Sequence, residues 1–240
     1  QKQLVTNADV LAAARKSYDE LEAVKAVEEK IAAIGEVTLA SKGVIEEAEA
    51  AYDALTEAQK SQVGNTDVLA AARASYNDLE AAKAVEEKIA AIGEVTLESK
   101  SAIDEANAAW KALNRTQKKL VPNWSVLDTA KKSYRNLVNA KAVEEKVAAI
   151  GEVTLESKGA IEEAEAAYQA LTADQKQLVT NADVLAAARK SYNDLAAAKA
   201  VEDQIAAIGK VTLTSKSAIE AAESAYAALT AEQKQLVTNA

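Results

Sequence analysis

The chain has no histidine and no cysteine among its 240 residues. It therefore lacks the commonest general base, the usual zinc ligands, any thiol nucleophile and any disulfide. Glycine occurs seven times, proline once, and aromatic residues make up 4%. Sheet-rich folds need turn formers and aromatic or β-branched strands, so this scarcity argues against one. No apolar run approaches the roughly 18 residues that a membrane span requires. Basic residues number 28 against 37 acidic ones, a net charge of −9, which favours solubility and disfavours non-specific nucleic-acid binding. With no signal-peptide pattern and no initiator methionine, the sequence reads as an excerpt of a longer or processed chain.

Alanine and the helix formers Glu, Lys, Gln and Leu are abundant, and the expected fold class is all-α. A tandem repeat sets the architecture. The string Ala-Val-Glu-Glu-Lys-Ile-Ala-Ala-Ile-Gly runs from Ala26 to Gly35 and recurs with minor changes ending at Gly93, Gly151 and Gly209, a period of 58. Residues 1–8 and 233–240 are identical, so both ends fall within a repeat, as in a longer array. The period divides the chain into 1–25, the end of a truncated repeat, then repeats 26–83, 84–141 and 142–199, and a partial repeat 200–240.

Within one period, Asn181 is a candidate N-cap and Gly209 a candidate C-terminal stop, which predicts a helix of about 26 residues, roughly 39 Å long. A short extended link at Val211-Thr212-Leu213 follows, and Thr212 or Ser215 is placed to cap a second helix running to about Leu229. Capping boxes at Thr56–Gln59, Thr172–Gln175 and Thr230–Gln233 each predict a further single turn. Measured from Leu185 along the long helix, Ala188, Tyr192 and Leu195 fall at about 300°, 340° and 280°, whereas Ala198, Val201, Ile205 and Ile208 fall at about 220°, 160°, 200° and 140°. A helix whose apolar face turns by roughly 140° partway along can finish one bundle and begin the next. The expectation is a set of tandem, spectrin-like three-helix bundles joined by long shared helices into an extended rod, each repeat having its neighbours in the same chain as partners.

The pattern Ala-Ile-Gly-x-Val-Thr-Leu-x-Ser, continued by Ala-Ile-x-x-Ala-x-x-Ala-Tyr-x-Ala-Leu-Thr-x-x-Gln-Lys-x-Leu-Val-Thr-Asn over Ala149 to Asn181, resembles tandem helical repeats in large surface proteins of Gram-positive bacteria. The resemblance covers the whole chain. It implies a non-enzymatic extracellular stalk, associated with the cell wall, that holds an adhesive or catalytic domain away from the surface. Lack of cysteine fits such proteins, and no sorting motif lies in the sequence.

One repeat departs from the rest. Residues 110–141 carry Lys111, Arg115, Lys118, Lys119, Lys131, Lys132, Arg135 and Lys141 against Asp128 alone, a local +7, where the equivalent 168–199 come to +1. Around the third helix, Trp124, Lys131 and Arg135 fall near 60°, 40° and 80°, about one stripe beside the core. An aromatic flanked by cations suits an acidic partner such as a host protein or an acidic glycan, and Arg115 and Lys119 extend the candidate surface. Drift of a solvated face explains the same charges. Trp110 occupies the slot of Tyr52, Tyr168 and Tyr226 and is expected to fill the core. Trp124 replaces Ala8, Thr66, Ala182 and Ala240, either as an exposed anchor or as a staple over the bundle end. Pro122 is expected to end the short helix before it.

Other motifs carry less. Asn114-Arg115-Thr116 and Asn123-Trp124-Ser125 match a glycosylation acceptor, but both asparagines stand at capping positions. The adjacent carboxylates Glu86-Glu87, Glu144-Glu145 and Glu162-Glu163 point about 100° apart on a helix and lie among lysines, as on a solvated face. With no phosphate-binding glycine loop, calcium loop or nucleophile elbow, neither a catalytic residue nor a cofactor or metal site is assigned. An engineered consensus array with a varied central repeat also fits the near-identity of the other repeats.

Overall fold

Alanine-rich stretches free of glycine and proline run as unbroken helices. In the computed structural model, which describes residues 7–240, there are twelve α-helices and no strand among the described residues. Gln1–Thr6, the opening of the truncated first repeat, lie outside them. Four long helices, α1 (Ala8–Ala32), α4 (Thr66–Ala90), α7 (Trp124–Ala149) and α10 (Ala182–Ile208), recur once per period. Between them come the medium helices α2 (Lys42–Asp53), α5 (Lys100–Ala112), α8 (Lys158–Ala170) and α11 (Lys216–Ala228). Each medium helix is followed by a short one: α3 (Glu57–Lys60), α6 (Arg115–Lys119), α9 (Ala173–Lys176) and α12 (Ala231–Leu236). No helix among the described residues is long and apolar enough to cross a membrane.

Local signals set the boundaries. The three predicted Thr–Gln capping boxes form, each with the threonine side chain bonded to the glutamine N–H and the glutamine side chain bonded to the threonine N–H. At the link expected to be extended, Val211 and Thr212 carry no regular structure, Leu213 enters a turn, and Ser215 stands at the N-cap of α11 without a side-chain capping bond; the equivalent links of two other repeats are tighter. Thr38 and Thr154 are extended, but each caps a 3₁₀ turn, Leu39–Ser41 and Leu155–Ser157, through a reciprocal bond with the serine three residues on. A short hydroxyl side chain competes well for local backbone N–H groups, which favours this tight turn over an open link.

Gly209 ends α10 at φ 56°, ψ −136°, a region that side chains with a Cβ rarely enter. A Cβ placed there meets no atom within 4 Å, so the constraint is in the backbone alone. Gly209→Ala is therefore expected to cost about 1–3 kcal/mol, read as a lower urea midpoint, even though the added methyl has room.

Two compact units divide the chain: one runs to Glu94 and takes in Glu98–Ala130, the other comprises Val95–Leu97 and Lys131–Ala240. The sequence period cuts more finely than these units, and the boundary lies within α7. In the first unit, one core joins Val24, Val27 and Ile31 of α1, Ile45 and Ala48 of α2, and Leu69, Ala72 and Tyr76 of α4. The second half of α4 buries Ala82, Val85 and Ile89 and packs on α5 and α6. In the second unit, Ala140, Val143 and Val147 of α7, Ile161 and Ala164 of α8, and Leu185 and Ala188 of α10 close another core. The far half of α10 buries Ala198 and Val201 and packs on α11 and α12. Both α4 and α10 thus bury one face in their first half and a different one in their second, without a break at Ala196–Ala200.

Polar clasps repeat with the same period. Glu28, Glu144 and Glu202 accept the backbone N–H of Gly64, Thr180 and Thr238, 36 residues later, at 2.8, 2.9 and 2.8 Å. Asn181 stands at the N-cap without capping α10 through its side chain; its Nδ2 instead donates to the Glu144 carbonyl at 3.0 Å. Asn65, Asn123 and Asn239 make the same bond to Glu28, Glu86 and Glu202. Glu49 grips Arg73, and Glu165 grips Arg189 through Nε and Nη2 at 2.7 and 2.6 Å.

These bonds hold several carboxyls below the usual range: Glu49 and Glu165 by the arginine hydrogen bonds, Glu144 and Glu202 by the threonine hydroxyls and N–H groups. A carboxyl depressed in the folded state stabilises fully above its unfolded value, about 4.3 for Glu, and the contribution is lost as pH falls through the folded value. The melting temperature is accordingly expected to hold level from about pH 8 to pH 5 and to drop below about pH 4, with no histidine to add a step between. Thermal scans across that range check it.

Candidate functional site

The divergent repeat builds its surface from three short-range decisions. At the end of α5, Leu113 turns extended. Asn114 then replaces the usual threonine and caps α6 by accepting from Thr116 N–H and Gln117 N–H at 2.8 and 3.0 Å. Gln117 returns the bond to Asn114 N–H at 2.9 Å, and its Nε2 donates to Asp78 Oδ1 at 2.8 Å. That bond pins α6 to α4. Asn123, just before α7, is held by the Glu86 carbonyl at 2.9 Å. Pro122 stands where Gly64, Thr180 and Thr238 donate their N–H; it has none, so that clasp is missing from this repeat, while Glu86 pairs with Lys83 at 3.3 Å, as Glu144 does with Lys141.

These anchors bring the two tryptophans together. The rings of Trp110, on α5, and Trp124, first in α7, stack with centroids 6.4 Å apart and planes 21° from parallel, within the range of favourable aromatic pairs. Lys118 Nζ lies 6.0 Å from the Trp110 ring centroid and donates to the Lys111 carbonyl at 3.3 Å. Trp110, Arg115, Lys118, Lys119 and Trp124 line an open hollow of about 540 Å³. No carboxylate lines it, and among the described residues neither Arg115 nor Lys119 pairs with one. Trp124 remains 53% exposed.

Trp110 is half-buried, where the core was expected. Its slot is a boundary position in every repeat: Lys60, Lys176 and Lys234 lie over the Tyr52, Tyr168 and Tyr226 rings at 5.7, 5.5 and 5.7 Å from the centroid. A lysine eight residues after the aromatic in all four repeats is the sequence signal that identifies this contact, and with it Trp110 and Lys118 as site residues. Trp124, Arg115 and Lys119 are the additions of this repeat. They convert a lysine-covered ring into a wider aromatic and cationic surface.

Lys131 and Arg135 lie outside the hollow, on the part of α7 that belongs to the second unit. Arg135 is exposed, and its Nε donates to the Lys131 carbonyl at 3.3 Å. Lys131 is half-buried at the position of Arg73 and Arg189; the glutamates that grip those arginines, Glu49 and Glu165, correspond to Asn107. The repeat has thus exchanged a bidentate pair for a neutral residue and a lysine.

Stacked rings beside guanidinium and ammonium groups can hold a planar or apolar surface and an anion together. Among the described residues no group of three or more His, Cys, Asp or Glu side chains is placed to hold a metal ion. Set against protein-family models, curated proteins and solved structures, the chain matches none of them.

Proposed function

We propose that the chain is a non-enzymatic spacer: a spectrin-like rod of helical bundles from the surface of a Gram-positive bacterium, extracellular and wall-associated, that holds an adhesive or catalytic domain at a distance. The observation that carries this reading is the double use of α4 and α10, each buried on one face in its first half and on another in its second. A helix that belongs to two successive bundles leaves no flexible linker at the junction, and a stack of such units transmits length. The bacterial surface setting rests on the resemblance of the Ala149–Asn181 pattern. Duplicating residues 142–199 within the chain tests the spacer: the maximum dimension in X-ray scattering should increase by one fixed step per added repeat. A maximum dimension that stays constant would rule it out.

A second reading is favoured by the tryptophan stack beside Arg115 and Lys119. In it the divergent repeat binds an acidic partner, a host protein or an acidic glycan. Calorimetric titration with a sulfated glycan should give saturable heat that Trp124→Ala with Arg115→Ala abolishes; no heat from the unaltered chain ends this reading and leaves the spacer standing.

A further inference from the structure

The hollow of the divergent repeat offers only donors and ring faces. Of the five residues that line it, the two indoles, the Arg115 guanidinium and the Lys118 and Lys119 ammonium groups all donate, and no side chain among them accepts. Oxygens beside it are already engaged. Asn114 Oδ1 takes the N–H groups of Thr116 and Gln117, Gln117 Oε1 takes that of Asn114, and the Lys111 carbonyl takes Lys118 Nζ. A peptide strand, whose backbone N–H groups need acceptors, finds none on these five side chains. A ligand whose polar groups are acceptors matches all of them.

The cations form a set. Arg115, Lys118 and Lys119 stand at i, i+3 and i+4, on one face of α6. The corresponding residues are Glu57, Lys60 and Ser61 in one repeat and Ala173, Lys176 and Gln177 in another, so the single lysine is shared and the other two cations belong to this repeat alone. Lys118 keeps two of its three N–H donors beyond the bond to Lys111. Three cations on one face suit an anion with three outward oxygens, as in a sulfate ester. A carboxylate has two oxygens in one plane, which a single guanidinium fork already satisfies. Beside them, Trp110 is engaged by Trp124 and by Lys118, and the exposed Trp124 supplies free ring surface. Such a ring packs on an apolar face whose polar groups lie at the edge, as the C–H face of a sugar ring does.

We propose that this hollow takes a sulfated sugar in preference to one charged by carboxylates: a sugar ring lies over Trp124, and its sulfate ester is held by Arg115, Lys118 and Lys119. This rests on the reading in which the divergent repeat binds an acidic partner, and it names the anion which that reading leaves open. The charge of the site is complementary to the ligand although the chain as a whole carries −9, so affinity comes from the local cations and falls as salt screens them.

Two hexasaccharides of equal charge test the proposal, one with a sulfate ester and no carboxylate on each ring, the other with a carboxylate and no sulfate. Titrated into the full chain, the sulfated one is expected to bind at one site per chain and about tenfold or more tightly than the other. Both tryptophans line the hollow, so a change in their emission on binding places the ligand there. Lys119→Gln with Trp124→Ala should weaken the sulfated sugar by about tenfold or more, whereas Arg135→Gln, outside the hollow, should alter it by less than about twofold. Tyr168→Trp, Ala173→Arg, Gln177→Lys and Ala182→Trp together copy the site onto another repeat and should raise the calorimetric stoichiometry to two, with helical circular dichroism unchanged. Equal or tighter binding of the carboxylate sugar overturns the proposal and leaves the acidic-partner reading standing. Tighter binding of a hexaglutamate peptide or of oligothymidylate overturns it too, as does a folded copy that gains no second site. Silence from every probe ends the proposal together with the reading it rests on.

Discussion

Leu69→Ala is expected to lower stability by about 2–5 kcal/mol, whereas Leu11→Ala, in a matching sequence context, should change it by no more than about 0.5 kcal/mol. The two leucines occupy the same repeat position, each followed by Ala-Ala-Ala-Arg or its near equivalent. Leu69 sits in a core with Ile31, Ile45 and Ala48, so truncating it removes buried methyl groups and leaves space that the surrounding rings and methyls fill only in part. Leu11 is exposed and has no such surroundings in the single molecule. Helix propensity affects both substitutions alike and cancels in the comparison. Urea titrations at concentrations where the chain is monomeric measure the difference. Equal losses would mean that burial in a partner bundle contributes nothing beyond local helix formation.

Ala198→Pro should cost at least about 3 kcal/mol and bend α10. Ala198 is buried at the change of face, between Leu185 and Ala188 on one side and Val201 on the other. Proline removes its own N–H and forces away the carbonyl four residues earlier, so the two halves of α10 lose their fixed rotation about a common axis. Hydrogen exchange is expected to quicken on both sides of the substitution, from Leu185 to Val201, together with a marked fall in melting temperature. If only the amides next to residue 198 respond and the scattering profile is unchanged, the two halves of α10 are not mechanically coupled.

The features legible from the sequence were those with local causes. The period of 58, the ends of the long helices, the Thr–Gln boxes and the change of apolar face all follow from side-chain spacing and from bonds that span three or four residues. The asparagine at each long helix start was read correctly as a position and incorrectly as a bond: Asn181 reaches the Glu144 carbonyl, a contact created only once two helices lie side by side. Trp110 shows the same limit. Helical phase puts it near the core stripe, but phase does not say how much of a large ring the neighbouring helix covers, and a lysine from the next short helix lies over the ring. Lys131 and Arg135 share a helix face with Trp124 by spacing, yet the hollow forms around Trp110, because ring stacking and the α6 anchor act at short range. Arg115 and Lys119, carried on α6, were placed with it.

Both tryptophans of the chain lie in that one hollow. Their emission therefore reports on a single repeat, while far-ultraviolet ellipticity sums over every helix of the chain. Melting curves from the two signals are independent thermometers, one local and one averaged: if they superimpose, the repeats unfold as a single cooperative block, and if they separate, the gap between them measures how far the basic repeat departs in stability from its neighbours.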